Sequence, residues 1–242
     1  MKEPKKRIMI IGCTSGIGKA LAELSLEQGL IVGGVGRNEA QLKEMAKAHD
    51  RQFFAQVADI RHTTGLNERL DALAERMGGV DIVVVSSSIS RKNQDLLFEI
   101  ENDVLQTNIV GYAAALIWAA RFFLKQGYGH LVGITSLAKF LGSKNPAYTA
   151  SKAFESRYLD GLRLRLAKTG ITVSEIMPGF VRTPMTEDQE KMFWAISPER
   201  AAECILKAIG KKKQKTVISR RWKPFYWILP HLPFRLLRYF LV

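Results

Sequence analysis

Acidic residues are missing where this chain is most basic. From Cys204 to Val242 there is no Asp or Glu, while ten Lys and Arg fall there, so 10 of the net +13 charges sit in the last 39 residues. Charge so one-sided points to a polyanion, with a membrane surface favoured over nucleic acid. Cysteine is scarce as well. Cys13 and Cys204 cannot build a disulfide framework and have no metal-ligand spacing, so no metal is expected and a reducing, cytoplasmic setting fits. Long apolar runs are lacking at both ends. Behind the basic Lys2, Lys5, Lys6 and Arg7, the run Ile8–Ile11 stops at Gly12, which is too short for a leader's apolar core and reads as a strand. At the other end, Pro224, Pro230 and Pro233 with Lys223, Arg235 and Arg238 interrupt an aromatic stretch. A bilayer span needs about 20 largely apolar residues. Trp222–Val242 therefore reads as an amphipathic tail for a membrane interface, Trp and Tyr at headgroup depth and cations on anionic lipid. The competing reading is a tail packed on its own body or on a second subunit.

Repeats, low-complexity segments and an internal linker are also absent. What is present is a globular composition, 47% hydrophobic and 24% charged over 242 residues, enough for one domain with its own core over residues 1–221. Short apolar runs (Arg7–Ile11, Leu30–Val35, Gln52–Val57, Asp81–Ser86, His130–Thr135, Ile171–Met177, Thr216–Ser219) alternate with amphipathic stretches. Those stretches are Gly16–Gln28, Glu39–His49, Gly65–Met77, Val104–Lys125, Pro146–Lys168 and Pro198–Ile209. Strand and helix in alternation predict an α/β, doubly wound parallel sheet of about seven strands with helices on both faces. Ile82-Val83-Val84-Val85 is continuously apolar, as a strand covered on both faces should be.

The first strand runs into Gly12-Cys13-Thr14-Ser15-Gly16-Ile17-Gly18, and a helix pattern follows. Glycines there allow a tight turn and close approach to a pyrophosphate, which the free N–H groups of the helix start can bind. The alternative is a tight turn without a ligand. Gly36-Arg37-Asn38 follows the second strand, where a dinucleotide fold meets the adenosine ribose. Arg37, with no acid from Ile31 to Asn38, favours a 2′-phosphate and so NADP(H) over NAD(H). Arg37 could otherwise be a solvated residue at a loop start. Asp59, followed by Ile60, comes after the third strand and suits the adenine amino group or the cap of the next helix. In Ala147-Tyr148-Thr149-Ala150-Ser151-Lys152-Ala153, a helix sets Tyr148 and Lys152 one turn apart on one face. A free tyrosine holds its proton to about pH 10. A neighbouring cation favours the phenolate, so the pair suits proton transfer at a carbonyl or hydroxyl oxygen.

A Gly-x-x-x-Gly-x-Gly turn, an Asn in a long middle helix, and Ser followed by Tyr-x-x-x-Lys occur in that order. Together they resemble the short-chain dehydrogenase/reductase family over about Lys6–Ser219. The resemblance implies a Rossmann-type domain in which Gly12, Gly16 and Gly18 are the motif glycines, with Thr14, Ser15 and Ile17 beside them at the phosphates. It implies that Asp59 and Ile60 meet adenine, that Asn108 holds a relay water, and that Ser136 orients the substrate oxygen. Tyr148 would be the acid/base, and Lys152 would bind the nicotinamide ribose and make the tyrosine a better acid. Pro178 and Gly179 match the family's turn, with Val181 and Thr183 at the carboxamide. Three departures stand out. Ile11 replaces a threonine, Val85-Ser86-Ser87-Ser88 replaces Asn-Asn-Ala-Gly, and Ser136 to Tyr148 is one position short, which keeps Thr135 as a second candidate hydroxyl.

The implied activity is NADPH-dependent reduction of a ketone to a secondary alcohol. The apolar texture of Leu137, Phe140, Leu141, Phe180, Met185, Phe193 and Trp194 suggests a lipophilic substrate, the alternative being ordinary core or a mobile substrate lid. A long-chain 3-keto lipid such as 3-ketosphinganine or a 3-oxoacyl compound is expected first, then a steroid or retinoid. A homo-oligomer, dimer or tetramer, is expected. The rival readings are an NAD-dependent sugar or polyol dehydrogenase and a catalytically silent NADP-binding regulator.

Overall fold

A computed structural model describes residues 6–187 and 192–233. Seven strands form one sheet in the order β3-β2-β1-β4-β5-β6-β7. They are β1 (Arg7–Ile11), β2 (Ile31–Gly36), β3 (Phe53–Val57), β4 (Ile82–Val85), β5 (Tyr128–Ile134), β6 (Gly170–Met177) and β7 (Lys215–Val217). Every pairing is parallel. Parallel pairs need long crossovers, and these are α1 (Gly16–Glu27), α2 (Glu39–Ala48), α3 (Leu66–Arg76), α4 (Phe98–Leu105), α5 (Tyr112–Gln126), α6 (Pro146–Arg165) and α7 (Pro198–Gly210).

The alternation of side chains along a strand divides the core into two layers. On β1, Met9 and Ile11 join Leu70, Leu116 and Leu159 from α3, α5 and α6 on one face. Ile8 and Ile10 join Leu21, Leu42 and Ile205 from α1, α2 and α7 on the other. All four strand residues are wholly buried, which is why the run shows no polar alternation in the sequence. Strand order reverses between β1 and β4, which opens a crevice at their C-terminal ends. Gly12 and Ser86–Ser88 sit at that crevice.

The expected elements are all present, with ends shifted by up to three residues, the largest of these being α6, which stops at Arg165 instead of Lys168. The middle helix is the exception. It begins at Phe98, six residues ahead of the expected Val104, and joins α4 to α5 through a π-helical turn, Gln106–Gly111. Asp95, Glu99 and Glu101 disguise that start in the sequence. The continuous helix Phe98–Gln126 is long and apolar enough to cross a membrane. Its apolar character has another cause, because Tyr112, Leu116 and Phe123 are wholly buried in the core.

The tail folds back on the body as far as it is described. Trp222 leads into α8 (Lys223–Ile228), and Leu229 is buried. Trp222, Phe225, Tyr226 and Leu232 pack with Leu137, Met177 and Val217 in a third, smaller cluster. The expected interfacial segment beyond Pro233 lies outside the described residues.

Candidate active site

The turn after β1 is built by close approach. Gly12 has φ +95°, and a Cβ there would stand 2.6 Å from the Ser87 nitrogen. A Cβ on Gly18 would stand 1.9 Å from the Gly12 carbonyl oxygen, so that glycine lets α1 press against the turn. Gly16, at φ +51°, opens the helix. The Ser15 side chain makes no capping bond and α1 has no acid in its first turn. The first N–H groups of a helix have no partner within it. Gly12, Thr14, Ser15, Gly16 and Ile17 line the crevice, while Gly18 is buried behind them. Open N–H donors, a glycine floor and no carboxylate fit a pyrophosphate.

At the far end of the crevice Arg37, Asp59 and Ile60 form the wall. Asp59 is gripped by Arg61, whose Nη2 and Nε donate to Oδ2 at 2.7 and 2.9 Å and whose backbone N donates to Oδ1 at 3.0 Å. Burial disfavours its ionisation, but the Arg61 bonds outweigh that and hold the carboxyl below the ordinary aspartate range. The Arg37 guanidinium pairs with Asp59 at 3.9 Å and is half exposed at the crevice wall.

The reacting end is assembled by β5, the π-helical turn and α6. Ser136 leaves β5 in an extended conformation, and its hydroxyl accepts from Ala138 N at 3.1 Å as the cap of the short 3-10 helix Leu137–Phe140. Thr135 also lines the crevice, but its hydroxyl points inward and donates to Glu175 Oε1 at 2.9 Å. On α6, Tyr148 and Lys152 face the crevice one turn apart, with the Lys152 Nζ 5.6 Å from the Tyr148 ring centre. Asn108 lies beneath, wholly buried. Its Oδ1 accepts from Ile89 N at 2.9 Å, and its Nδ2 donates to Ile89 O at 2.9 Å and to Ser151 Oγ at 3.0 Å. Ser151 in turn donates to Tyr148 O at 2.7 Å. The extra residue of a π-helical turn reaims one side chain, and here Asn108 ties the loop after β4 to the helix that carries Tyr148. Pro178, Gly179, Val181 and Thr183 close the remaining side.

The sequence-expected catalytic and cofactor residues thus converge on one crevice, Asn108 and Gly18 from behind it. Of the apolar residues expected at the pocket edge, Met185 lines the crevice, whereas Leu137, Phe140 and Leu141 pack instead in the cluster with the tail. Sequence reasoning missed two contributors. Lys152 is bound by Glu155, and Glu175 receives both Thr135 and Lys139. Of these only Glu155, three residues after Lys152 on one helix face, left a local signal. In the stretch that departs from the family pattern, Ser87 packs against Gly12, and the Ser88 hydroxyl is buried without a partner at the crevice wall. The tail supplies a third. Trp222 lies edge-on to Phe180 and Trp194, with ring centres 5.6 Å apart in each case, and Tyr226 lies edge-on to Phe140 at 5.5 Å.

The arrangement has relatives. The family described as short chain dehydrogenase matches residues 6–193. An uncharacterized oxidoreductase of Staphylococcus epidermidis is 35% identical over 191 residues, covering 77% of this chain and 83% of the relative. Among solved structures, an actinorhodin polyketide ketoreductase variant with NADPH superposes with TM-score 0.77 at 26% identity, over 88% of this chain and 95% of that one. A 7beta-hydroxysteroid dehydrogenase gives TM-score 0.81 at 24% identity, over 97% and 96%, and speaks for the fold alone. A parallel sheet split by a glycine-floored crevice, with Tyr148 and Lys152 on the helix beside it, has this physical meaning: the chain belongs to the short-chain dehydrogenase/reductase family, the NAD(P)-dependent oxidoreductases of CH–OH and C=O groups.

Proposed function

We propose that this enzyme uses NADPH to reduce a ketone on a lipophilic substrate to a secondary alcohol. The observation that carries the reading is the convergence of Ser136, Tyr148 and Lys152 on the crevice whose other end holds the glycine cradle and Arg37. When bound, the nicotinamide supplies a hydride to the carbonyl carbon. Negative charge grows on the carbonyl oxygen, and the Ser136 hydroxyl donates a hydrogen bond to it, its own acceptor side being occupied by Ala138 N. Thr135 is the poorer candidate, since its proton is committed to Glu175. The Tyr148 hydroxyl donates its proton to the same oxygen, and the Lys152 ammonium stabilises the phenolate left behind. Asn108 and Ser151 hold the Tyr148 turn of α6 in register, and Asn108 is the position at which a relay water would be held. Arg37, half exposed and beside Asp59, favours the 2′-phosphate of NADP(H).

The apolar rim supports the lipophilic class. Phe180, Trp194, Trp222 and Phe225 form a run of ring contacts beside the Pro178-Gly179 turn, with Phe140 in the same apolar cluster as Trp222 and Phe225. A long-chain 3-keto compound comes first and a steroid next. Membrane contact on the cytoplasmic side is supported by exposed Trp227 and Ile228 near a concave face lined by Lys207, Lys211, Lys213, Arg220, Arg221 and Lys223, with no carboxylate in its lining. A dimer or tetramer is the assembly we infer.

NADPH oxidation against long-chain 3-keto lipids, acyl thioesters, steroids and small polar ketones tests this, run on the full chain and on a chain ending at residue 233. Turnover of long-chain ketones is expected, with Tyr148→Phe binding NADPH yet losing roughly 100- to 10,000-fold in rate. Near-wild-type rates in that variant would overturn the chemistry. Turnover of small polar ketones alone, with no effect of the truncation, would overturn the lipid class.

A further inference from the structure

Lys152 does not face the crevice alone. Its ammonium donates to both carboxylate oxygens of Glu155, each at 2.9 Å, and neither side chain is more than 3% exposed. Glu155 has no other hydrogen-bond partner among the described residues. It is wholly buried on α6, within electrostatic reach of Glu175 of β6 and of Tyr112 of α5, whose hydroxyl is buried and unpartnered. Glu175 is balanced by Lys139 at 2.8 Å, with Lys215 3.9 Å from its second oxygen. Glu101 of α4 sits at the other end of α6, accepting from Ala147 N at 2.9 Å.

We propose that Glu155 is a positioning residue of the proton relay: its bidentate ion pair holds Lys152, and its charge state sets how much net positive charge faces Tyr148. The proposal rests on the reading that Lys152 serves the cofactor ribose and the Tyr148 phenol.

The physical argument begins with the cost of burial. A wholly buried carboxylate is strongly disfavoured unless paired, and a buried pair is retained for geometry more than for stability. Burial pushes Glu155 up to about 7 against the opposing pull of Lys152, with Glu175 adding to the rise. Below that value Glu155 is neutral and the ammonium is uncompensated, so its stabilisation of a phenolate is at full strength. Above it the pair is close to neutral and that stabilisation falls. The bidentate bond also spends two of the three ammonium protons, leaving one for a ribose hydroxyl in a fixed direction. Cofactor affinity and reduction rate therefore share one titration.

Two measurements test this on the full chain from pH 5.5 to 8.5: NADPH affinity by cofactor fluorescence, which needs no turnover, and kcat with any ketone the enzyme accepts. In the wild type both change by roughly tenfold across an inflection near neutrality, the size of one pKa unit of differential interaction. Glu155→Gln keeps the shape and an acceptor oxygen for Lys152, and is expected to bind NADPH with a flat pH profile. Where that variant does not fold, Glu155→Asp serves instead. It keeps the charge on a shorter arm, so the inflection persists while KM for NADPH rises. A wild-type profile with no inflection, or an unaltered inflection in Glu155→Gln, overturns the proposal. A flattened affinity profile in a protein that reduces no ketone keeps Glu155 in this role and removes the reductase reading.

Discussion

Residues 6–92, which build β1 to β4 and most of the nucleotide crevice, bury one polar side chain, Ser25. The remainder of the described chain buries His130, Lys152, Glu155 and Glu175 along with nine uncharged polar residues. The first region is organised by backbone shape. Glycines bring β1, α1 and the loop after β4 into contact, and a ligand there meets N–H groups, which do not titrate. The second region is organised by paired charge. Lys152 with Glu155 and Lys139 with Glu175 lie beneath the surface where a proton has to move, and the polar pair His130 with Ser174 is buried farther back, towards the start of β5. Binding a phosphate calls for fixed donors, whereas moving a proton calls for groups able to change charge. The two regions should therefore fail in different ways.

Acid should separate them most clearly. Ser174 Oγ donates to Lys213 O at 2.6 Å, so its hydroxyl proton is committed and His130 Nε2, 2.8 Å away, must donate to it. The neutral ring is thereby fixed in one tautomer. Burial, with the charge of Lys212 adding, holds His130 down to about 4. A histidine whose folded value is depressed contributes stability that is complete above about pH 6.5 and is lost as pH falls towards 4. The loss should be roughly 3 kcal/mol. Urea unfolding at pH 7.5 and 4.5 measures it, and hydrogen exchange should show β5 and β6 losing protection before β1 and β2. Equal loss in both regions would break the contrast.

Gly18→Ala is the converse experiment. The new methyl cannot be placed 1.9 Å from the Gly12 carbonyl, so α1 must move away from the turn. Overpacking of this kind costs about 1–3 kcal/mol. Loss of NADPH binding is expected along with that destabilisation, by fluorescence titration and thermal melting. Binding retained at the wild-type level would mean that the cradle does not depend on this approach.

The smallest effect sharpens the first region alone. Arg37→Asp should weaken NADPH relative to NADH by about tenfold, about 1.4 kcal/mol, read as the ratio of kcat/KM for the two cofactors. An unchanged ratio would make Arg37 a loop residue only.

Much of the first region was legible in the sequence because its determinants are local. Gly12, Gly16 and Gly18 lie within one turn of chain, and Arg37 follows its strand directly. Tyr148 and Lys152 were legible for the same reason, being one helical turn apart. Ser136 and Thr135 were not separable, since their difference lies in Glu175, 40 positions from Thr135, which takes the threonine proton. The start of α4 at Phe98 was hidden by its polar first turn. Trp222 was read with the tail, yet it packs against Gly179 and Phe180 because β7 returns the chain beside β6 at that level.

Strand period, helix period and turn chemistry by themselves determined the doubly wound sheet, its glycine turn and the Tyr148–Lys152 pair, since each acts over a few neighbouring residues. Only the tertiary structure decided which hydroxyl faces the crevice, what lies beneath Lys152 and where Trp222 rests. Those depend on long-range pairings between β5, β6, β7 and α6 that no short stretch encodes. A buried charge finds its partner through packing, and packing is settled when the whole sheet closes.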